Sequence, residues 1–105
     1  MASYSDKTYS GTLTTSSVSV ATIAASTTFI LIGISVSNAN AAAKKAEILI
    51  DDIRILPYVI GIPIGDSLIL KDLNLPVTTG VTIKLKGEVA NDMDYYIWGV
   101  NYDYS

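Results

Sequence analysis

Val81-Thr82-Ile83-Lys84-Leu85-Lys86-Gly87-Glu88-Val89 alternates inward-type and polar residues at strict period two. Successive side chains of a β-strand point to opposite faces, so this pattern fits a strand with one dry side and one wet side. Val81, Ile83, Leu85 and Val89 are assigned to a core, and Thr82, Lys84, Lys86 and Glu88 to water. Gly80 precedes the run and Asn91-Asp92-Met93-Asp94 follows it, both with turn chemistry.

The rest of the chain repeats this rhythm. Thr12-Leu13-Thr14-Thr15 and Val18 to Ile23 are rich in Thr and Val, which suit a pleated surface, and Ser16-Ser17 joins them. Further strand-like runs are Phe29 to Val36, Ala46 to Asp51, Ile53 to Leu56, Tyr58 to Ile62, Leu68 to Lys71 and Tyr95 to Tyr102. Pro57 and Pro63 place their stretch at a sheet edge or a bend, because proline donates nothing to a ladder. Leu73 and Leu75 are expected to pin a connection to the core. Only Asn38 to Lys45 has helical composition, and it is too short for a crossover helix, so it reads as a loop or a single turn. About eight short strands at regular turn spacing predict an all-β, antiparallel, jelly-roll-like sandwich. Residues 12–105 form its single domain. Residues 1–11, polar and without an apolar pattern, are expected to be a flexible N-terminal arm.

The 105 residues include no Cys and no His. No disulfide, thiolate nucleophile or Zn-thiolate site is possible, and the side chain that titrates between about pH 5 and 8 is missing. The formal net charge of -3 offers no basic footprint for a phosphate backbone, which argues against nucleic acid. No charge falls between Thr8 and Ala43, but the longest strictly apolar run there is Phe29 to Ile32, far short of the ~18 residues of a spanning helix, so no membrane span is expected. The opening residues lack a signal-peptide pattern, so synthesis in the cytoplasm is expected. Asp51-Asp52 and the Asp92/Asp94 loop are the carboxylate groupings. They read as turn residues before Ca²⁺ ligands, since EF-hand spacing is absent. No catalytic, cofactor-binding or metal-binding residue is assigned, and the chain is expected not to be an enzyme.

Hydrophobic residues make up 50% of the chain and charged ones 16%, so some apolar surface is expected to be covered by another molecule. In the run Phe29 to Val36, odd positions put Phe29 and Leu31 on one face. Even positions put Ile30, Ile32, Ile34 and Val36 on the other, which makes those four the candidate oligomer interface. Alternation likewise sets Tyr96, Trp98, Val100 and Tyr102 on one side of the last strand, with Tyr96, Trp98 and Tyr102 the candidate partner surface.

The rhythm from Gly11 to Tyr102 resembles the small β-sandwich accessory proteins of tailed-bacteriophage virions, which decorate or cement capsids or form short fibres and knobs. The likeness is carried by the Thr-rich opening at Thr12 to Thr15 and the Ile-rich strand ending in Asn38. The segments Ile62-Pro63-Ile64-Gly65-Asp66-Ser67-Leu68-Ile69-Leu70 and Thr78 to Gly87, and the aromatic strand Tyr95 to Tyr102, complete it. The resemblance implies a virion structural protein made in the host cytoplasm. It implies a homo-oligomer, a trimer by preference, whose partners are itself and the major capsid or other virion proteins. The alternative from the residues is a small carbohydrate- or receptor-binding module using the C-terminal aromatics.

Overall fold

The computed structural model describes residues 2–56 and 61–104. Ten strands are found among them: β1 (Ser3–Thr12), β2 (Val18–Thr22), β3 (Thr27–Asn38), β4 (Lys44–Ile50), β5 (Ile53–Leu56), β6 (Gly61–Ile62), β7 (Ser67–Leu70), β8 (Leu75–Val77), β9 (Thr82–Gly87) and β10 (Met93–Asp103). One sheet runs β1-β10-β3-β7, with β8 also on β3. The other runs β2-β9-β4-β5, with β6 also on β4. All the pairings are antiparallel. Because β7 and β8 share one side of β3, and β5 and β6 share β4, the ten strands occupy eight positions, four per sheet. The chain crosses from one sheet to the other at each step except within β4-β5-β6 and β7-β8, which with this strand order is jelly-roll topology.

The core lies between the sheets. Phe29, Leu31 and Val36 of β3, Ile48 of β4, Ile83 and Leu85 of β9 and Ile97 of β10 are sealed from solvent. Each such side chain contributes about 1.5–3 kcal/mol on burial. The β9 alternation is as its sequence requires, with Ile83 and Leu85 inside and Lys84 and Lys86 on the other face.

Two expectations are corrected. Residues 1–11 are expected to be a flexible arm, but Ser3–Thr12 is a strand that pairs with β10 residue for residue, from Ser3 opposite Asp103 to Thr12 opposite Asp94. It shows no apolar period because it is an edge strand held by ladder hydrogen bonds, with Tyr9 alone packing inward, edge-on to Phe29 at 5.4 Å. The second correction concerns β3. Gly33 pairs with Trp98 and Leu31 with Gly99, which leaves Ile32 as an extra residue in a β-bulge. One extra residue inverts every later side chain. Inward positions therefore switch from Phe29 and Leu31 to Ile34 and Val36, so Ile34 and Val36 are core residues and do not share a face with Ile30 and Ile32.

Loops follow local chemistry. Asp51 and Asp52 both adopt positive φ (54° and 58°), making the tight hairpin turn between β4 and β5. Asn38 is buried at the end of β3. Its side-chain amide donates to the carbonyls of Ala42 and Ile62, both at 2.9 Å, and its Oδ1 accepts from the Asn40 N–H. One side chain thus ties the 38–42 loop to β6. Leu73 is half-buried, whereas Leu75 is partly exposed on β8. Pro63 follows β6 at a bend, while Pro57 and the first part of the run from Tyr58 to Ile62 lie outside the described residues.

Candidate interaction surface

The two outer faces differ in chemistry. Residues opposite one another on antiparallel strands project to the same side. On the β2-β9-β4-β5 sheet the outer side carries Lys84, Lys86, Glu47 and Arg54, with Leu49 between Lys84 and Arg54. Lys84 donates to Asp52 at 3.1 Å and Arg54 lies 3.8 Å from Glu47. That face is dressed for water.

On the β1-β10-β3 sheet the outer rows read Tyr4, Tyr102 and Thr28; Asp6, Val100 and Ile30; Thr8, Trp98 and Gly33; Ser10, Tyr96 and Ser35; Thr12, Asp94 and Ser37. The bulged Ile32 joins them, and Ile69 of β7 lies opposite Ser35. Asp6 and Asp94 are the charged residues among these positions, and Asp94 already accepts from Thr12 at 2.9 Å. Two aromatic groups dominate. Trp98 and Tyr96 lie with ring centroids 6.2 Å apart, and Tyr4, Tyr102 and Tyr104 form a chain at 4.8 and 6.0 Å. Tyr4 is 70% exposed, Ile69 55% and Tyr96 47%, and Trp98, Val100, Ile30 and Ile32 between them are half-buried.

This surface has a local cause. A Cβ on Gly33 would collide with the indole ring of Trp98, so glycine lets Trp98 lie flat across β3 beside the bulge. Gly33, Ile32 and Trp98 therefore form one raised apolar ridge.

The sequence-assigned residues divide accordingly. Tyr96, Trp98 and Tyr102 share the outer face, and Ile30 and Ile32 stand beside them, half-buried; Ile34 and Val36 are elsewhere, in the core. Val100 lies on this face with Tyr96, Trp98 and Tyr102 as alternation sets it, whereas Tyr4 and Ile69 escaped sequence reading, because only pairing across strands brings them there. In the Asp92/Asp94 loop, Asp92 accepts from Asn40 at 2.7 Å while Asp94 turns to Thr12. No cluster of three or more His, Cys, Asp or Glu side chains occurs among the described residues.

A groove of about 240 Å³ opens between β5 and β8, where the sheets' edges part. Ile50, Ile53, Ile55, Leu75, Pro76, Val77 and Val81 line it, with Asp51 and Thr78 the polar members. A single carboxylate at an apolar rim provides neither an acid–base pair nor an activated nucleophile. Tyr9 and Tyr95 have their titration pushed up by burial against the core.

No protein-family model matches the sequence, and no curated protein matches it. The fold does have counterparts among solved structures. The chain is similar to a chain in the acid-stable capsid of the Helicobacter pylori bacteriophage KHP30, with a TM-score of 0.59 and 7% identity, over 100% of this chain and 95% of that one. It is also similar to a chain in the capsid asymmetric unit of cyanophage Pam1, with a TM-score of 0.50 and 16% identity, over 98% of this chain and 84% of that one.

Proposed function

We propose that this chain is a non-enzymatic structural protein of a bacteriophage virion, a small sandwich that decorates or cements the capsid shell and works as a symmetric oligomer. The observation that carries this reading is the asymmetry of the outer faces, one laced with ion pairs and the other an aromatic and aliphatic surface built around Trp98, Ile32 and Tyr96. Interface centres are poor in charge and rich in Tyr and Trp. The capsid counterparts support it. This chain corresponds in fold to nearly the whole of the KHP30 capsid chain it resembles. A trimer is the symmetry implied by the resemblance to accessory virion proteins. Its contacts would centre on Ile30, Ile32 and Trp98, with Ile34 and Val36 no longer part of them.

The test is mass spectrometry of purified particles. The chain is expected in a fixed ratio to the coat protein, and its absence from intact particles would end the reading.

A second reading rests on the chain of Tyr4, Tyr102 and Tyr104 rings, which offers stacking faces to a sugar or a receptor. Glycan binding by the isolated chain, lost in Tyr102→Ala with the fold intact, would favour it.

A further inference from the structure

We infer that the free edge of β1 pairs with the same edge of a second copy, antiparallel and about a two-fold axis through Thr8, so that two sheets join into one. The other edges of the two sheets are blunted. Short strands, prolines, bulges and charged side chains blunt a sheet edge, and long exposed edges template further pairing. Among the described strands β8 is three residues and contains Pro76, β7 and β5 are four each, and the pairing of β2 with β9 is broken by an irregularity. By contrast β1 runs ten residues with no proline and no break in its register against β10, and its two charges, Asp6 and Lys7, are adjacent and of opposite sign. It ends its sheet, and all its residues but Tyr9 are exposed. Its unpaired backbone groups fit an extended strand.

Charge and overlap together select the register for a second copy. A two-fold axis perpendicular to the sheet keeps outer side chains with outer ones, so only residues of equal parity can face each other. A register centred on Asp6 sets like carboxylates opposite, and one centred on Lys7 sets like ammonium groups opposite. Of the registers that oppose no like charges, the one centred on Thr8 keeps the longest overlap, pairing Tyr4 through Thr12 with the same stretch of the second copy. Asp6 then meets the partner's Ser10, a hydroxyl donor, and Lys7 meets the partner's Tyr9. Lys7 already sits 5.1 Å from its own Tyr9 ring, so a second ring extends an existing cation–π contact. Thr8 meets the partner's Thr8, a favourable cross-strand pair. The two aromatic outer faces become continuous across the axis. The inference is independent of the virion reading, because it uses backbone groups of the isolated chain.

The native chain has no cysteine, so single thiols report the contact cleanly. Opposed residues of an antiparallel pair have Cα atoms about 4.5–5.5 Å apart, within disulfide range. In Thr8→Cys, mild oxidation at micromolar concentration should give a disulfide dimer. In Ser10→Cys, two exposed thiols about 13 Å apart along the strands should stay reduced. Adding Ser10→Asp to Thr8→Cys sets carboxylates opposite Asp6 twice per dimer and should slow dimer formation about tenfold. A further Asp6→Lys should restore it. Unchanged melting temperatures would show that these exposed substitutions leave the fold intact. A reduced Thr8→Cys protein, equal cross-linking at positions 8 and 10, or indifference to Ser10→Asp would each overturn the inference.

Discussion

Gly33 is where the outer surface is decided, because the indole of Trp98 occupies the space a Cβ would need. Gly33→Ala should lift the ring off β3. As Trp98 is the sole tryptophan, its emission should shift to the red, with a stability loss of about 1–3 kcal/mol by urea titration. An unshifted spectrum would show that the ridge forms without glycine. Asn38 is the buried polar counterpart. Asn38→Ala leaves the carbonyls of Ala42 and Ile62 without their donor and should cost about 1–3 kcal/mol per unsatisfied group. Tyr9 and Tyr95 set the alkaline limit. Burial raises both above their ordinary value of 10.0. The neutral phenol is thus favoured by folding, a contribution complete below pH 10 and lost as pH rises through the elevated folded values. Melting temperature should fall in that alkaline window, and Tyr9→Phe should flatten the fall. Sequence alternation brought Tyr96, Trp98 and Tyr102 to one side of their strand. Sequence does not show that Gly33 lies beneath Trp98, since that contact depends on the partner strand.

At the scale of elements, β9 is the strand whose placement follows from local pattern alone. Its inward and outward positions differ in character at each step, and one register satisfies them. Ile83→Ala should cost about 2–5 kcal/mol, whereas Lys84→Ala, which removes an exposed ion pair with Asp52, should stay within about 1 kcal/mol. Equal losses would contradict the register. β3 and β1 show where such reading fails. The eight residues Phe29 to Val36 are apolar enough on both sides that a bulge at Ile32 leaves no mark in their sequence. Its register is set by β10. β1 buries little beyond Tyr9, so hydrophobic periodicity has nothing to report, and only its ladder with β10 makes it a strand.

For the molecule as a whole, the jelly roll was legible because short alternating runs and frequent turns leave few other ways to bury the apolar positions. The direction of its outer faces was not, because it depends on which strands become neighbours. In the proposed assembly the β1-β10-β3 face is covered by protein while the β2-β9-β4-β5 face meets water. Hydroxyl-radical footprinting, comparing the isolated chain with the chain on purified particles, tests this most directly. The account predicts strong protection of Ile32, Tyr96 and Trp98 on particles, with labelling of Leu49 and Arg54 unchanged. Equal labelling of Tyr96 and Trp98 in both states, or protection confined to Leu49 and Arg54, would contradict it.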